Sequence, residues 1–457
     1  MKRRDFLKLS GVGGAAALST GALTGCSRRG WGLPAADGGR VELTYALWDA
    51  TQQIGYQKSI DAFMKLHPHI HVTIQQVSYT NYQQKITQQY ISGNAPDVFW
   101  VNTPWIGDWV VGGVMADISD RLAAEKLDMS IYNQSLLKLH QYRGRTFGLP
   151  KDWDTAAFFT NRAHLAKCGF RTAPTDLSWN PKDGGSYLHF LKQLTVDTKG
   201  RNALDPKFDP GSVDVYATAA PNDFQTTYGN FFAMNGGSLL PHPYATRSVI
   251  DTPQNLETLT FLTRMLRAAH VIVPCNQTGP NGDSTNTQTL FSSGRMAMWL
   301  TGDWTAASVS KLSGIKIGSM PMPTGPRGRI SVLNGLCDGI AANTAHPDES
   351  WALVKWLGGA RSQEIMGSGG YVWPAITALD PHFERYWLRK GLDMSPFLEE
   401  SHGRTVNFPV SSGMQDALND LTVALGPTFL GTQSPAEGLR AAQRIFDYRI
   451  SYNTPEK

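Results

Sequence analysis

The sequence predicts an α/β protein, because short apolar stretches of strand length alternate with longer stretches of helical periodicity. Strands are expected at 41–47, 72–77 and 95–100, and helices at 56–66 and 82–91. Helices that alternate with strands in this way predict βαβ units and a largely parallel sheet. The length of 457 residues is sufficient for more than one domain.

The stretch 291–304 carries the most specific pattern in the chain. An apolar run at 296–300 predicts a strand that Gly302 breaks. Asp303 and Trp304 follow at the carboxyl end of this strand, which is where ligands bind in open α/β sheets. The alternative is that Asp303 only caps the next helix and that Trp304 packs at the rim.

The same stretch reads Phe-x-x-Gly-x-x-Ala-Met-x-x-x-Gly-x-Trp. It resembles a signature of the family 1 extracellular solute-binding proteins of ABC transporters, a maltose-binding-protein-like family. The Ala-Pro-Asp-Val sequence at 95–98 and the Asn-Gly-Gly turn at 235–237 are similar to further family motifs. The resemblance implies a two-lobe periplasmic-binding-protein fold (type II), with discontinuous lobes joined by a hinge. It also implies a binding protein for sugars, not an enzyme.

The resemblance places three chain crossings between the lobes, at 148–155, 331–339 and 404–409. It accordingly assigns 40–150 plus 337–403 to lobe 1, and 151–336 plus 404–457 to lobe 2. Because the chain crosses three times, each lobe is expected to consist of separate segments. Pro150 fixes the backbone φ angle at the first of these crossings.

The candidate ligand-binding residues are those that the strand ends and the family resemblance point to. The first lobe is expected to supply Trp48, Asp49, Asp97, Trp100, Asn102, Gly335 and Trp373. Trp153 and Asp154 are expected at the hinge, and Asp303 and Trp304 on the second lobe. The resemblance further implies that Trp304 stacks on the bound sugar and that closure of the hinge encloses it.

The types of residue in this set indicate the class of ligand. Aromatic faces suit the apolar C–H faces of sugar rings, and carboxylates and amides hydrogen-bond to hydroxyl groups. Carboxylates at 49, 154 and 303 would repel phosphate or carboxylate ligands, so neutral carbohydrates are favoured and cationic polyamines come second. Carboxylates such as Asp49, Asp97, Asp154 and Asp303 could also form a glycosidase pair, and a secreted carbohydrate-active enzyme is therefore the alternative class.

The N-terminus resembles an export signal for a lipoprotein. Arg3 and Arg4 lie in a sequence similar to a twin-arginine signal, and 9–22 is too short and too polar to span a membrane. Leu-Thr-Gly-Cys at 23–26 resembles a lipobox, which makes Cys26 the lipid attachment site and residues 1–26 the signal; the alternative is an ordinary thiol in a cleaved signal. Residues 27–39 read as a flexible tether. The protein is therefore expected to be extracytoplasmic, anchored to the cell membrane by lipid and close to membrane permease subunits.

Charge and cysteine content argue against several other classes. The chain has a formal charge of +4, and because residues 1–26 contribute +3 of it, the rest is near +1 and gives no electrostatic case for nucleic acid. Cys168, Cys275 and Cys337 are odd in number and lack CxxC spacing, so neither a disulfide framework nor a zinc site is indicated. His67, His69 and His71 have no further ligand at a fixed spacing. We therefore expect no cofactor and no metal. We also expect the protein to be a monomer.

Overall fold

The computed structural model of this chain describes residues 39–278 and 284–451. Its strands are, in chain order, β1 (Val41–Leu47), β2 (Ile70–Gln76), β3 (Val98–Val101), β4 (Gln141–Tyr142), β5 (Arg145–Thr146), β6 (Leu149–Pro150), β7 (Asp152–Trp153), β8 (Ala156–Asn161), β9 (Val196–Asp197), β10 (Val213–Val215), β11 (Met298–Gly302), β12 (Ile317–Met320), β13 (Ile330–Leu333), β14 (Cys337–Ile340), β15 (Trp373–Pro374) and β16 (Arg404–Asn407).

The helices connect and cover these strands. They are α1 (Ala50–Leu66), α2 (Tyr79–Ile91), α3 (Thr103–Val111), α4 (Ser119–Glu125), α5 (Gln134–Leu139), α6 (Arg162–Lys167), α7 (Gly185–Leu194), α8 (Gly229–Met234), α9 (Pro253–Thr260), α10 (Leu266–Ala268), α11 (Cys275–Thr278), α12 (Ser284–Ser292), α13 (Ala306–Val309), α14 (Pro347–Gly358), α15 (Ala360–Ser368), α16 (Asp380–Arg389), α17 (Ser395–His402), α18 (Met414–Leu430) and α19 (Pro435–Ser451). Short 3₁₀ turns lie at Met129–Ile131, Asp303–Thr305 and Thr377–Leu379, and π-helical turns at Phe224–Tyr228 and Phe261–Met265.

The larger sheet has the strand order β2-β1-β3-β14-β6. The strands β2, β1 and β3 are parallel, as βαβ units require, but β14 is antiparallel to both β3 and β6. A second sheet, β11-β8-β12, is antiparallel throughout. The expectation of a largely parallel sheet is therefore correct for the first three strands, but β14 enters the five-stranded sheet in the opposite direction on its return from the second sheet.

The first predicted helix starts earlier in the structure than the sequence pattern suggests. It begins at Ala50 because the Asp49 carboxylate accepts hydrogen bonds from the backbone N–H groups of Thr51 (2.7 Å) and Gln52 (2.8 Å). A side chain that caps the first turn in this way satisfies N–H groups that have no partner within the helix. The pattern of apolar residues could not reveal this turn, because its first residues are exposed or half-buried.

Two hydrophobic cores are present, and the first extends from the five-stranded sheet onto one face of the second sheet. One contains Tyr45, Phe99 and Trp351 around the five-stranded sheet, and the other contains Trp179 and Phe446. Strand β8 separates them, because its successive side chains point to opposite faces. Phe158 on one face contacts Tyr187 with a ring separation of 6.3 Å, and Phe159 on the other contacts Phe397 at 5.0 Å.

Helix α17, which contains Phe397, packs on the second sheet. It contacts β8, β13 and β16, although the family resemblance assigned its residues to lobe 1. Thr155 donates a hydrogen bond to the Phe397 carbonyl oxygen (3.1 Å), which holds the helix at the start of β8. The exact limits of the lobes remain a prediction.

The crossing segments are bonded to one another where they pass between the sheets. The chain runs from β6 in the first sheet to β8 in the second, and it returns from β13 to β14. Asp154 and Asn334, one from each of these segments, exchange backbone hydrogen bonds of 2.9 and 3.1 Å. The third segment joins them, because β16 pairs in parallel with β13.

A buried lysine lies in the first crossing. The Lys151 ammonium is 4.0 Å from both Asp152 and Asp338, 3.1 Å from the Tyr56 hydroxyl, and 3.5 Å from the centroid of the Trp100 ring. Burial lowers the pKa of Lys151, and the two carboxylates oppose that shift. Burial also raises the pKa of Asp338, to about 6. This cation therefore offsets two carboxylates that the fold has removed from water.

We predict that Lys151→Met lowers the free energy of unfolding by about 3–5 kcal/mol at pH 8, because the substitution leaves buried carboxylates without a counter-charge. The loss should shrink as the pH falls below 6, where Asp338 takes up a proton. Thermal unfolding at both pH values measures the effect. Lys58→Met, at an exposed lysine on α1, is the control and should change stability by less than about 0.5 kcal/mol. Equal unfolding temperatures for both variants would contradict this account.

Candidate functional site

Aromatic and amide side chains gather where β1 and β3 end. Trp48 follows β1, and its ring lies edge-on to Tyr79 at 5.6 Å and to Trp105 at 5.2 Å. Asn102 follows β3, accepts a hydrogen bond from the Thr103 N–H (2.9 Å) and donates one to the Tyr79 hydroxyl (3.2 Å). Because parallel strands bring their carboxyl ends to one edge, these residues share a site on the first lobe.

A carboxylate and an indole follow strand β11 in the second sheet. Asp303 follows β11, and its backbone N–H donates to the Thr155 carbonyl oxygen (3.2 Å), which places it beside the first crossing. Its side chain is 3% exposed, and its Oδ1 atom has no hydrogen-bond partner. Trp304 is 44% exposed. The Oδ1 atom of Asp303 is therefore an acceptor without a donor in the described part of the protein, and the next residue is an indole that is partly exposed.

Glycine at 302 is required by the position of Trp304. A Cβ atom on Gly302 would lie 1.8 Å from the Trp304 ring, so any larger residue would displace the indole. Gly302 is the last residue of β11 and does not break the strand, which corrects the prediction made from the sequence. The strand also begins two residues later than predicted, at Met298. The glycine allows the ring to fold back over the strand end.

A chain of side-chain hydrogen bonds joins the two lobes at the hinge. Asn334 donates to Asn102 (3.3 Å) and to Asp154 (3.2 Å), and Asp154 also accepts from the Gln225 amide. Together with the bond from Asn102 to Tyr79, this forms what we call the interlobe polar chain, which consists of Tyr79, Asn102, Asn334, Asp154 and Gln225. A change in the angle between the lobes would have to alter these bonds.

Burial raises the pKa values of two carboxyl groups in this region, Asp303 and Asp154. The pKa of Asp303 is raised well above its usual range by burial first, and then by the negative charges of Asp154 and Asp152. The pKa of Asp154 is raised by burial and by the charge of Asp152, against the hydrogen bonds from Asn334 and Gln225. Raised carboxyl pKa values mean that ionising both groups is costly while no cation is present.

Several predicted residues lie outside this set. Asp97 is at the amino end of β3, the opposite end from Asn102, and its carboxylate accepts from the Thr44 N–H (2.9 Å) and the Thr344 hydroxyl (2.6 Å). Trp100 is fully buried, and its indole N–H donates to the Tyr45 hydroxyl (2.5 Å). Both side chains therefore stabilise the first lobe.

The remaining predicted residues are also enclosed by the fold. Trp153 and Trp373 stack on each other at 4.6 Å with 4% and 1% exposure. Gly335 is buried, and a Cβ atom on it would lie 2.7 Å from both the Asp152 carbonyl oxygen and the Leu136 side chain. These residues position the crossings that carry Asp154 and Asn334. Asp49 combines a place at the strand end with its role as the cap of α1.

Sequence reasoning missed three members of the interlobe polar chain. Tyr79 follows β2 within three residues, so the strand-end argument that selected Trp48 could have selected it as well. Asn334 directly precedes the predicted Gly335. Gln225 lies in the π-helical turn Phe224–Tyr228, and no sequence pattern marks that turn as part of a site.

The remaining expectations concern metal, thiols and the membrane. Across residues 39–278 and 284–451, no group of three or more His, Cys, Asp or Glu side chains could hold a metal ion. In the same ranges, Cys168, Cys275 and Cys337 form no disulfide bond. None of the helices described has both the length and the apolar composition to cross a bilayer. Cys26 and most of the predicted tether lie outside the described residues.

Two lobes joined by bonded crossings, with side chains from both lobes meeting between them, are the architecture of a two-lobe solute-binding protein. The sequence model for bacterial extracellular solute-binding proteins matches residues 58–390. The chain belongs to this family, and its fold is the two-lobe periplasmic-binding-protein fold.

Similar proteins come from several bacteria and from an archaeon. Mycobacterium tuberculosis UspC is 27% identical, with a TM-score of 0.76 over 90% of this chain and 100% of that one. The Listeria monocytogenes ABC substrate-binding protein Lmo0181, solved with cycloalternan, is 18% identical, with a TM-score of 0.76 over 90% and 98% of the two chains. A Pyrococcus abyssi maltotriose-binding protein is 20% identical over 66% of this chain and 59% of its own length.

We predict that Asp303→Asn stabilises the protein at pH 8 and has little effect near pH 4. The raised pKa means that the folded state holds its proton to higher pH than the unfolded state, so stability is lost as the pH rises from about 4 through the folded value. An unsatisfied buried polar group costs about 1–3 kcal/mol, and the amide removes its charge. Melting temperatures across this pH range provide the test. Asp348→Asn, at an exposed carboxylate on α14, is the control; a lower melting temperature for Asp303→Asn at pH 8 would refute the prediction.

Proposed function

We propose that this protein is the extracytoplasmic solute-binding subunit of an ABC importer, and that it binds a mono- or oligosaccharide between its lobes. Membership of the solute-binding family supports the binding role. The observation that carries the choice of a sugar is Trp304, a 44% exposed indole held over the strand end by Gly302, beside unsatisfied hydrogen-bond acceptors. An amphipathic ring next to polar groups suits a sugar, which presents both C–H faces and hydroxyl groups.

The comparisons support the same class of ligand. A Streptomyces glaucescens receptor with a TM-score of 0.71 was solved with acarbose, and a Bdellovibrio bacteriovorus protein with a TM-score of 0.69 was solved with maltotriose. They are 19% and 15% identical to this chain, so the fold is what they share with it. The ligand is therefore proposed from the residues of the site.

The proposed mechanism is hinge closure. A ligand favours the closed form only if it binds that form more tightly, which requires contacts from both lobes. Moving a population from 1:99 to 99:1 takes about 5.5 kcal/mol of differential affinity. Trp48, Tyr79 and Asn102 would contribute from the first lobe, and Asp303 and Trp304 from the second. The closed form would then dock on membrane permease subunits as a monomer and release the sugar to them.

We predict that Trp304→Ala weakens sugar binding by at least about 2 kcal/mol, the loss that defines a binding hot spot. Calorimetric titration with a panel of mono- and oligosaccharides, first on the parent and then on the variant, measures the loss. Small-angle scattering on the same samples should show a smaller radius of gyration when the sugar is bound. Tyr448→Ala, at an exposed aromatic residue on α19, is the control and should retain full affinity.

Three results would contradict parts of this proposal. Native-like affinity in folded Trp304→Ala would remove the indole from the site. Release of new reducing ends from an oligosaccharide by the parent protein would favour the glycosidase alternative. Binding of spermidine, with none of any sugar, would favour the polyamine alternative.

The proposed membrane anchor has a separate test. We predict that Cys26→Ala moves the protein from the membrane fraction to the soluble fraction of cells, because a thioether-linked lipid requires the cysteine sulfur. Ser27→Ala leaves the sulfur in place and serves as the control. Immunoblotting of fractionated cells measures the distribution, and unchanged membrane association of Cys26→Ala would refute the anchor.

A further inference from the structure

The buried carboxyl of Asp303 accepts hydrogen bonds from the backbone N–H groups of its own turn, those of Asp303 and Trp304, but one of its oxygens has no donor. Asp154 accepts hydrogen bonds from Asn334 and Gln225, and Asp152 accepts one from the Leu336 N–H (2.9 Å). Asp303 is 3% exposed, and its Oδ1 atom has no donor. Buried acceptors in native proteins are nearly always paired, so this atom indicates a donor that the described chain does not supply.

A second acceptor without a donor lies in the same region. The Oδ1 atom of Asn334 is buried and unpartnered, while the Nδ2 group of the same side chain donates to Asp154. Asp154 is therefore in contact with Asn334, and its charge acts on Asp303. A ligand group that satisfies both acceptors would need several donors, as an ammonium group has.

The local charge has one sign. The charges of Asp154 and Asp152 raise the pKa of Asp303, and those of Asp223 and Asp154 raise the pKa of Tyr79. Within the described ranges, no ion pair includes Asp154, Asp223 or Asp303. Lys151 lies between Asp152 and Asp338 and makes its contacts there. The carboxyl groups of this site therefore ionise readily only against a cation, which a neutral sugar does not supply.

We propose that the sugar carries a protonated amine, and that this ammonium group binds at Asp303, beside Asp154 and Trp304. The inference rests on the proposed function and narrows its substrate class to amino sugars. Hydrogen bonds to charged groups are stronger than those between neutral pairs, so an ammonium gains more at this carboxylate than a hydroxyl does. The cation also reduces the repulsion between neighbouring carboxylates, and an indole face attracts cations.

The experiment compares sugars that differ at one group. Glucose, glucosamine and N-acetylglucosamine, together with the β-1,4-linked disaccharides of each, are titrated into the parent protein at pH 6.5. Among the monosaccharides, the disaccharides or both, we expect the sugar with the free amine to bind at least tenfold more tightly than the hydroxyl and N-acetyl sugars of the same length. Titration in two buffers of different ionisation enthalpy should show proton release on binding of the amine, because the carboxyls with raised pKa ionise against it.

Two variants separate a specific contact from general attraction. Asp303→Asn should reduce the preference for the amine to less than threefold, and Asp348→Asn, which changes the net charge equally on the exposed face of α14, should leave it unchanged. Circular dichroism checks that each variant is folded. If Asp303→Asn does not fold, the matched sugars and the proton release on the parent protein still decide the question.

The possible outcomes distinguish the two proposals. Tighter or equal binding of neutral sugars, or no binding of any amine-bearing sugar while maltotriose binds, would overturn the amino-sugar inference and leave the sugar-binding function in place. Spermidine binding without any sugar binding would overturn both. An unchanged amine preference in folded Asp303→Asn would remove this carboxylate as the group that recognises the amine.

Discussion

The pairing of the first two crossing segments is the constraint on which the rest of the structure depends. Asp154 and Asn334 exchange two backbone hydrogen bonds, and their side chains are bonded as well. Every backbone polar group that leaves a sheet must find another partner when it is buried. The crossings satisfy this requirement with each other, so they form a bonded connection between the two sheets.

This connection also fixes where the functional groups can lie. Residues that follow β1 and β3 reach it from one side, and residues that follow β11 reach it from the other, because β11 pairs with the strand that leaves the first crossing. Gly335, Trp153 and Trp373 are buried in this arrangement, and they fill the space around the crossings. Close packing therefore restricts which residue types can occupy these positions, in addition to any requirement from ligand binding.

Electrostatics gives the two sides of the hinge different roles. On one side, Lys151 and the hydrogen bonds around it compensate two buried carboxylates, so that network stabilises the fold. On the other, Asp303 is buried and Asp154 is half-buried, with no ion pair to a cation among the described residues, and the pKa values of both are raised. An uncompensated buried charge reduces stability, and proteins commonly retain such groups where they bind or react. The difference between the two sides is a matter of partners, since all the residues involved are ordinary lysines and aspartates.

The sequence by itself determined the class of fold, the first three strands and the two helices between them, and it placed Asp303 and Trp304 at the end of a strand. It did so because alternating apolar runs and strand-end positions are local properties, and the 291–304 motif is contiguous. Only the tertiary structure decided that Trp100, Trp153 and Asp97 stabilise the lobes, and that Tyr79, Asn334 and Gln225 join the two lobes. A tryptophan or an aspartate has the same local pattern whether it faces a core or a cleft. Its role is set by segments distant in sequence, such as β14 against β3 or the crossings against each other, which meet only in the folded chain.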